Sequence, residues 1–219
     1  MTHLDAVVAC VLSLAIVAEV ALIAMQQWRG VPSHFNNTTE YDAGVLTAIK
    51  LMVAVLTLAI AYFCLRWLAP LRLPPDYAAA ARGGMVLLVV ACVIGFVIEA
   101  QGERLARDGL SPSVYGEAGV LKFPHGMPLH AIQYLPATVW LLASLGVPPQ
   151  RRLIAVWAFF SGVVGLTLFA LVQSYSGRAR FDLSAPSALL LAASLAMFLP
   201  SVGFAATSRF AKQGKSQAG

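Results

Sequence analysis

Six stretches of this chain are long and apolar enough to cross a bilayer, and they constrain the fold more than any motif does. At a rise of about 1.5 Å per residue, about 20 apolar residues cover a hydrocarbon core roughly 30 Å thick. The stretches run approximately from Ala6 to Met25, Ala43 to Cys64, Gly84 to Gln101, Met127 to Gly146, Leu153 to Tyr175 and Ser184 to Thr207. Chain breakers separate them: Pro70, Pro74 and Pro75 after the second, Pro148 and Pro149 after the fourth, and Gly177 after the fifth. Inside lipid the backbone finds no water to bond, so each crossing is a helix that satisfies its own N–H and C=O groups. The expected fold is an all-α polytopic helix bundle of about six spans, forming one integral membrane domain over residues 1–219.

Composition closes the alternatives. With 59% hydrophobic and 11% charged residues among 219, the chain carries more apolar surface than a water-soluble core of this size can hide. Disorder requires the opposite balance, and three cysteines do not make a disulfide scaffold. Cys10, Cys64 and Cys92 all lie within or at the end of spans, without CxxC spacing, and read as small packing residues. The net charge of +5 does not indicate nucleic acid, because most basic residues flank apolar stretches, where they set orientation or meet lipid headgroups.

The first stretch resembles a secretory signal only superficially: Met1 to Asp5 carries no Lys or Arg, the apolar run is too long, and no small-residue cleavage site follows. It is expected to be a retained helix. The side holding the N-terminus, the Arg66 to Arg82 loop, the Arg151–Arg152 turn and the tail (Arg209, Lys212, Lys215) has eight Lys and Arg. The other side has six: Arg29, Arg104, Arg107, Lys122, Arg178 and Arg180. This bias places both termini in the cytoplasm and the two longest connections outside. Asn36 and Asn37 each begin an acceptor-like sequon, relevant only in a glycosylating compartment. No internal repeat supports an inverted-repeat transporter.

Charged groups within spans are costly and mark a partner or a watery cavity. Glu19 and Lys50 each fall roughly 11 Å below the outer surface on consecutive antiparallel helices. Matching depth suggests a Glu19–Lys50 pair, either functional or serving only to fix helix packing. The third span ends in Glu99 and Gln101, followed by Glu103 and Arg104; Glu99 and Glu103 share a face at four-residue spacing, and Glu103 also reads as a solvated helix-end charge. Around the fourth span, His130 and Gln133 share a helical face, His125 belongs to the turn before it, and Pro136 is expected to kink the helix. The fifth span ends in Gln173 and Tyr175, followed by Arg178, Arg180 and Asp182. All of these groups fall in the outer half. The cytoplasmic halves are apolar by comparison, with Cys10, Ser13, Thr57, Ser194 and Ser201 able to bond helix backbone.

A one-sided set of polar groups suits a pocket better than a transport route, which needs polar groups leading to both faces. The leading expectation is an intramembrane enzyme or binding protein for a small hydrophobic or lipid-like substrate, with Glu19, Glu99 and His130 as acid/base groups. Lys50, Gln101, Arg104, His125, Gln133, Gln173, Tyr175 and Arg180 are then the candidate substrate-binding residues. Proton transfer of the isomerisation or cyclisation type needs no cofactor, in keeping with a sequence that has no P-loop, GxSxG, HExxH, Rossmann glycine pattern or CxxC. Three other readings stay open. One is a metal or haem protein, with His125, His130 and Glu99 as conceivable ligands; another is a proton-coupled transporter relaying through Glu19, Lys50 and Glu99. The last is a noncatalytic subunit packed through small residues such as Ser161 and Gly165. His130 also has a plain packing role available, bonded to a neighbouring helix.

The segment Gly119-x-Leu121-Lys122-x-Pro124-His125-x-x-x-Leu129-His130-Ala131-Ile132-Gln133-x-Leu135-Pro136 resembles one found in a group of uncharacterised bacterial polytopic membrane proteins. In that group a loop ending in a basic residue and histidine leads into an LHA(I/L)Q helix. The similarity covers under a tenth of the chain. It implies a bacterial inner-membrane protein and draws attention to His125, His130 and Gln133, and it carries no reaction with it.

Overall fold

The structure, a computed structural model, describes residues 2–113 and 120–217, with side-chain surroundings described as far as Ser208. Gly119 of the motif above, and the side chains of Arg209, Lys212 and Lys215 from the charge count, lie outside the described residues. The elements are α1 (His3–Trp28), α2 (Glu40–Leu68), α3 (Pro75–Arg107), α4 (Lys122–Leu129), α5 (Ala131–Ser144), α6 (Pro149–Tyr175), α7 (Ala185–Ala196) and α8 (Leu199–Gln217). No strand forms among the described residues.

Local chemistry sets the helix ends. Thr2 and Asp5 form a capping box that opens α1, Thr39 accepts from the Asp42 amide at the start of α2, and Ser184 with Ser187 repeats the box at α7. Pro75 and Pro149 occupy the first turns of α3 and α6, where a missing N–H costs nothing. After α1 and α6 the chain reverses through Gly30 and Gly177 at φ 70° and 64°, a conformation that favours glycine.

Five tracts are long and apolar enough to cross a membrane: α1, α2, α3, α6 and the combined Ala185–Ser208 tract of α7 and α8. This is the architecture of an integral membrane helix bundle. The remaining expected span, Met127 to Gly146, is divided into α4 and α5 by a break at His130. The kink expected at Pro136 is not where the helix gives way; α5 runs through that proline. Pro128 and Pro136 withhold donors from the carbonyls of Pro124 and Ile132, on either side of the break; at the break the His130 amide bonds Pro128 O, while His130 O accepts from the Gln133 and Tyr134 amides at 3.0 and 3.1 Å and starts α5. The break also lets the chain press against α3, since a Cβ at Gly84 would lie 2.8 Å from Ile132 Cα. Pro200 has the same effect between α7 and α8, where it withholds a donor from the Ala196 carbonyl.

The helices pack in sequence, α1 on α2 and α2 on α3; α3, α4, α5 and α6 form the centre, and α6 carries α7 and α8. The central core joins Ala80 and Leu87 of α3, Ala131, Leu135 and Val139 of α5, and Val156 and Val163 of α6. On α6 the small residues that meet α7 and the turn after it are Gly162 and Gly165, against Ser194 and Phe198; Ser161, expected to share this role, is exposed. Polar clamps tie the N-terminal end of the bundle. Asp5 accepts from Tyr62 Oη at 2.8 Å and Arg66 Nε at 3.1 Å, and Arg152 Nε donates to the fully buried Asp76 at 2.5 Å. The one-sidedness read from the sequence therefore describes the span interiors and not the helix ends.

Candidate functional site

The last turns of α3 present Glu99, Gly102, Glu103 and Ala106 at i, i+3, i+4 and i+7, which puts them on one helical face. From α2, Lys50 Nζ donates a hydrogen bond to Glu103 Oε1 and lies 3.2 Å from Glu99 Oε1. The second contact is an ion pair in distance without hydrogen-bond alignment, so Glu99 Oε1 stays buried and without a hydrogen bond. The Glu19–Lys50 pair expected from depth does not form. Depth fixes height along a helix but not direction around it, and α2 turns Lys50 toward α3, where two carboxylates wait. Glu19 is half-buried on α1, with no ion pair among the described residues.

The connection between α1 and α2 folds over this cluster. Its root is fixed by Asp42, whose Oδ1 accepts from Arg29 Nη1 at 2.6 Å and Gln26 Nε2 at 3.3 Å and whose Oδ2 accepts from Thr39 Oγ1 at 2.7 Å. Arg29 also lies over the Tyr41 ring, 4.7 Å from its centroid. At the tip, Phe35 adopts φ 59°, an uncommon value for a residue with a Cβ, and its ring packs directly on Gly102. Buried Asn36 accepts from the Thr38 amide at 3.2 Å and the Thr38 hydroxyl at 2.7 Å, holding the turn. His34, bonded through Nδ1 to Ser33 Oγ at 2.9 Å, is held below its ordinary pKa chiefly by burial, with Lys122 pushing the same way and Glu99 opposing. Between this connection and the end of α3 opens a cleft of about 460 Å³, lined by Phe35, Asn37, Thr38, Glu103, Ala106 and Arg107.

The other sequence-predicted residues are dispersed. His125 hydrogen-bonds the Ala91 carbonyl of α3 through Nδ1 at 2.8 Å, in a space left by Gly95; a carbonyl only accepts, so Nδ1 carries the proton. His130 and Gln133 bond each other at 3.1 Å on the exposed side of the α4–α5 break. Gln101 points its carboxamide oxygen into the protein with no hydrogen-bond partner among the described residues, and Arg104 is exposed. Fully buried Gln173 donates to the carbonyls of Ala179 at 2.9 Å and Asp182 at 3.1 Å, which closes the connection after α6. Tyr175 is exposed, and Arg180 lies 4.9 Å over the ring of Phe123. Of the expected set, Lys50 is thus joined directly to Glu99, and His130 to Gln133. No group of three or more His, Cys, Asp or Glu side chains able to hold a metal forms among the described residues, so His125, His130 and Glu99 do not assemble into the ligand set considered from the sequence. The three thiols are free.

The sequence suggested no role at this site for Asp42, Phe35, Asn37, Thr38 and Gly102. The signal for the first was available: Thr39 followed three residues later by Asp42 ahead of an apolar run is a capping pattern. Comparison of the chain with protein-family models, with curated proteins and with solved structures finds no match.

Proposed function

We propose that the protein spans a bacterial inner membrane six times, with α4 and α5 together as the fourth crossing and both termini in the cytoplasm. In this reading the cleft beside Lys50, Glu99 and Glu103 binds a small lipid-like substrate from the outer side and transforms it by acid/base chemistry. The observation that carries the proposal is the joining of Lys50 to two carboxylates of one helix face, with Glu103 shared between that cluster and the cleft wall. Two carboxylates on one ammonium leave the cluster one negative charge in excess, which a proton or a substrate cation would neutralise. Arg107 on the same wall offers the opposite sign, so the cleft suits a head bearing both charges, while Phe35 and Ala106 suit an apolar stem. Glu99 and Glu103 are the proton-exchanging groups in this scheme, Lys50 their positioning cation, and no cofactor is required.

Organic extraction of the purified protein followed by mass spectrometry tests the proposal. A stoichiometric amphiphile is expected with the wild type and a several-fold smaller amount with Lys50→Met. Equal recovery from both proteins, or bulk lipid alone, contradicts it.

A further inference from the structure

The outward side of α5 differs in kind from the other exposed helix faces. His130, Gln133, Ala137, Trp140 and Ser144 are exposed at i, i+3, i+7, i+10 and i+14, the spacing of a helix-packing seam, and Tyr134 and Leu141 flank it. The exposed face of α1 is made of Val7, Val11, Leu14, Val17 and Val20, which lipid tails cover without penalty. On α5 the same position in the bundle carries an imidazole, a carboxamide and a phenol. This inference rests on the proposed fourth crossing by α4 and α5: counted along those helices, His130 would lie about 20 Å from the Ser144 end and about 12 Å from the Lys122 end, inside a hydrocarbon layer of about 30 Å.

The polar groups on this face are only half satisfied. Gln133 Oε1 accepts from His130 Nδ1, which leaves His130 Nε2 as an outward acceptor, and among the described residues the Gln133 amide donors and the Tyr134 hydroxyl have no protein partner. Lipid tails can bond none of them, and unbonded polar groups in hydrocarbon are expensive. The face is also self-complementary. About a two-fold axis along the membrane normal, two copies bring α5 against α5 at equal depth, so that the Gln133 amide of one can donate to the partner's His130 across the seam. Ala137 and Ser144 are small enough to let the helices approach.

We infer that the protein forms a homodimer through the α5 seam, closed by hydrogen bonds between His130 and Gln133 of the two copies. The inference is independent of the cleft, which lies on α3 and the α1–α2 connection.

The test uses the full chain in lipid nanodiscs and liposomes, with Cys10, Cys64 and Cys92 replaced by alanine. Under mild oxidation Ala137→Cys should crosslink to a dimer, while Val17→Cys on α1 and Leu168→Cys on α6 should not. Native mass spectrometry of the wild type should give the dimer mass, and Gln133→Leu should weaken dimerisation about tenfold, the loss of the two symmetry-related interhelical hydrogen bonds in lipid. Crosslinking and mass are read on separate variants, so a poorly folding Gln133→Leu leaves the first result standing. A monomer at every concentration overturns the inference. So does a dimer crosslinked through Val17→Cys or Leu168→Cys instead of Ala137→Cys, or a monomer whose α5 face is covered by another protein or by a bound lipid.

Discussion

The ring of Phe35 sits directly on the backbone of Gly102, filling the space a side chain would occupy there. This contact seats the α1–α2 connection on α3 and forms one wall of the cleft. Gly102→Ala sets two effects against each other. Alanine gains about 1 kcal/mol of helix propensity over glycine, whereas overpacking costs about 1–3 kcal/mol, and Phe35 already holds an unfavourable φ. A net loss of stability is expected, with Phe35 displaced and the cleft wall opened. Thermal unfolding in detergent, with proteolysis between residues 31 and 38 as a local readout, checks it; unchanged values for both would show that the contact does not hold the connection.

Asp76 and Arg152 form the most buried ion pair among the described residues, with the Asp76 side chain fully buried and that of Arg152 14% exposed. Removing one partner strands the other. Asp76→Ala is therefore expected to cost about 3–5 kcal/mol, while replacing both residues with apolar ones of similar size should cost much less. Denaturant titration of the two single variants and the double variant decides this; a double-variant loss equal to the sum of the two single losses would mean that the pair contributes no coupling.

Burial holds His34 neutral, below its ordinary value of 6.5. A connection released from α3 would let that ring bind a proton more readily than the packed one, so packing is fully favoured above pH 6.5 and weakens as the pH falls toward the lowered value. Hydrogen exchange of residues 31–38, corrected for its intrinsic pH dependence, should show protection that is level well above pH 6.5 and falls as the pH drops below it. His34→Gln should flatten the profile. Glu99 opposes the shift and Lys122 supports it, so neutralising Glu99 should deepen the loss.

Two glycines on α3 separate rigid from yielding contacts. A Cβ at Gly84 meets the Ile132 backbone at 2.8 Å, which cannot swing away, while one at Gly95 meets the His125 ring at 3.3 Å, which can. Gly84→Ala should therefore lower the unfolding temperature more than Gly95→Ala. The reverse order would place the close helix approach elsewhere.

Five of the six expected spans were legible because apolar length alone dictates a membrane helix, and the turn residues around Pro75, Pro149 and Gly177 punctuate them plainly. Partners were less legible. Depth along the chain put Glu19 and Lys50 level, yet a choice between Glu19 and Glu99 with Glu103 depends on rotation about the helix axis, which packing decides. Pro136 drew the expected kink because it stands within an apolar run, but the break fell at His130, where Gly84 lets the chain approach α3. The cleft left little trace in the sequence, since its wall comes from a short connection whose Phe35 conformation follows from a glycine 67 residues away.

Photolabelling tests the assignment of the cleft most directly. The protein in nanodiscs is exposed to a diazirine-tailed amphiphile with a zwitterionic head, irradiated and mapped by peptide mass spectrometry. Labels are expected on the peptides holding Phe35 to Thr38 and Glu103 to Arg107, to be competed by unlabelled amphiphile and to fall several-fold in Lys50→Met. Labels confined to the lipid-facing residues of α1 and α6, or cleft labels that neither competition nor Lys50→Met reduces, would contradict a binding site at Lys50, Glu99 and Glu103.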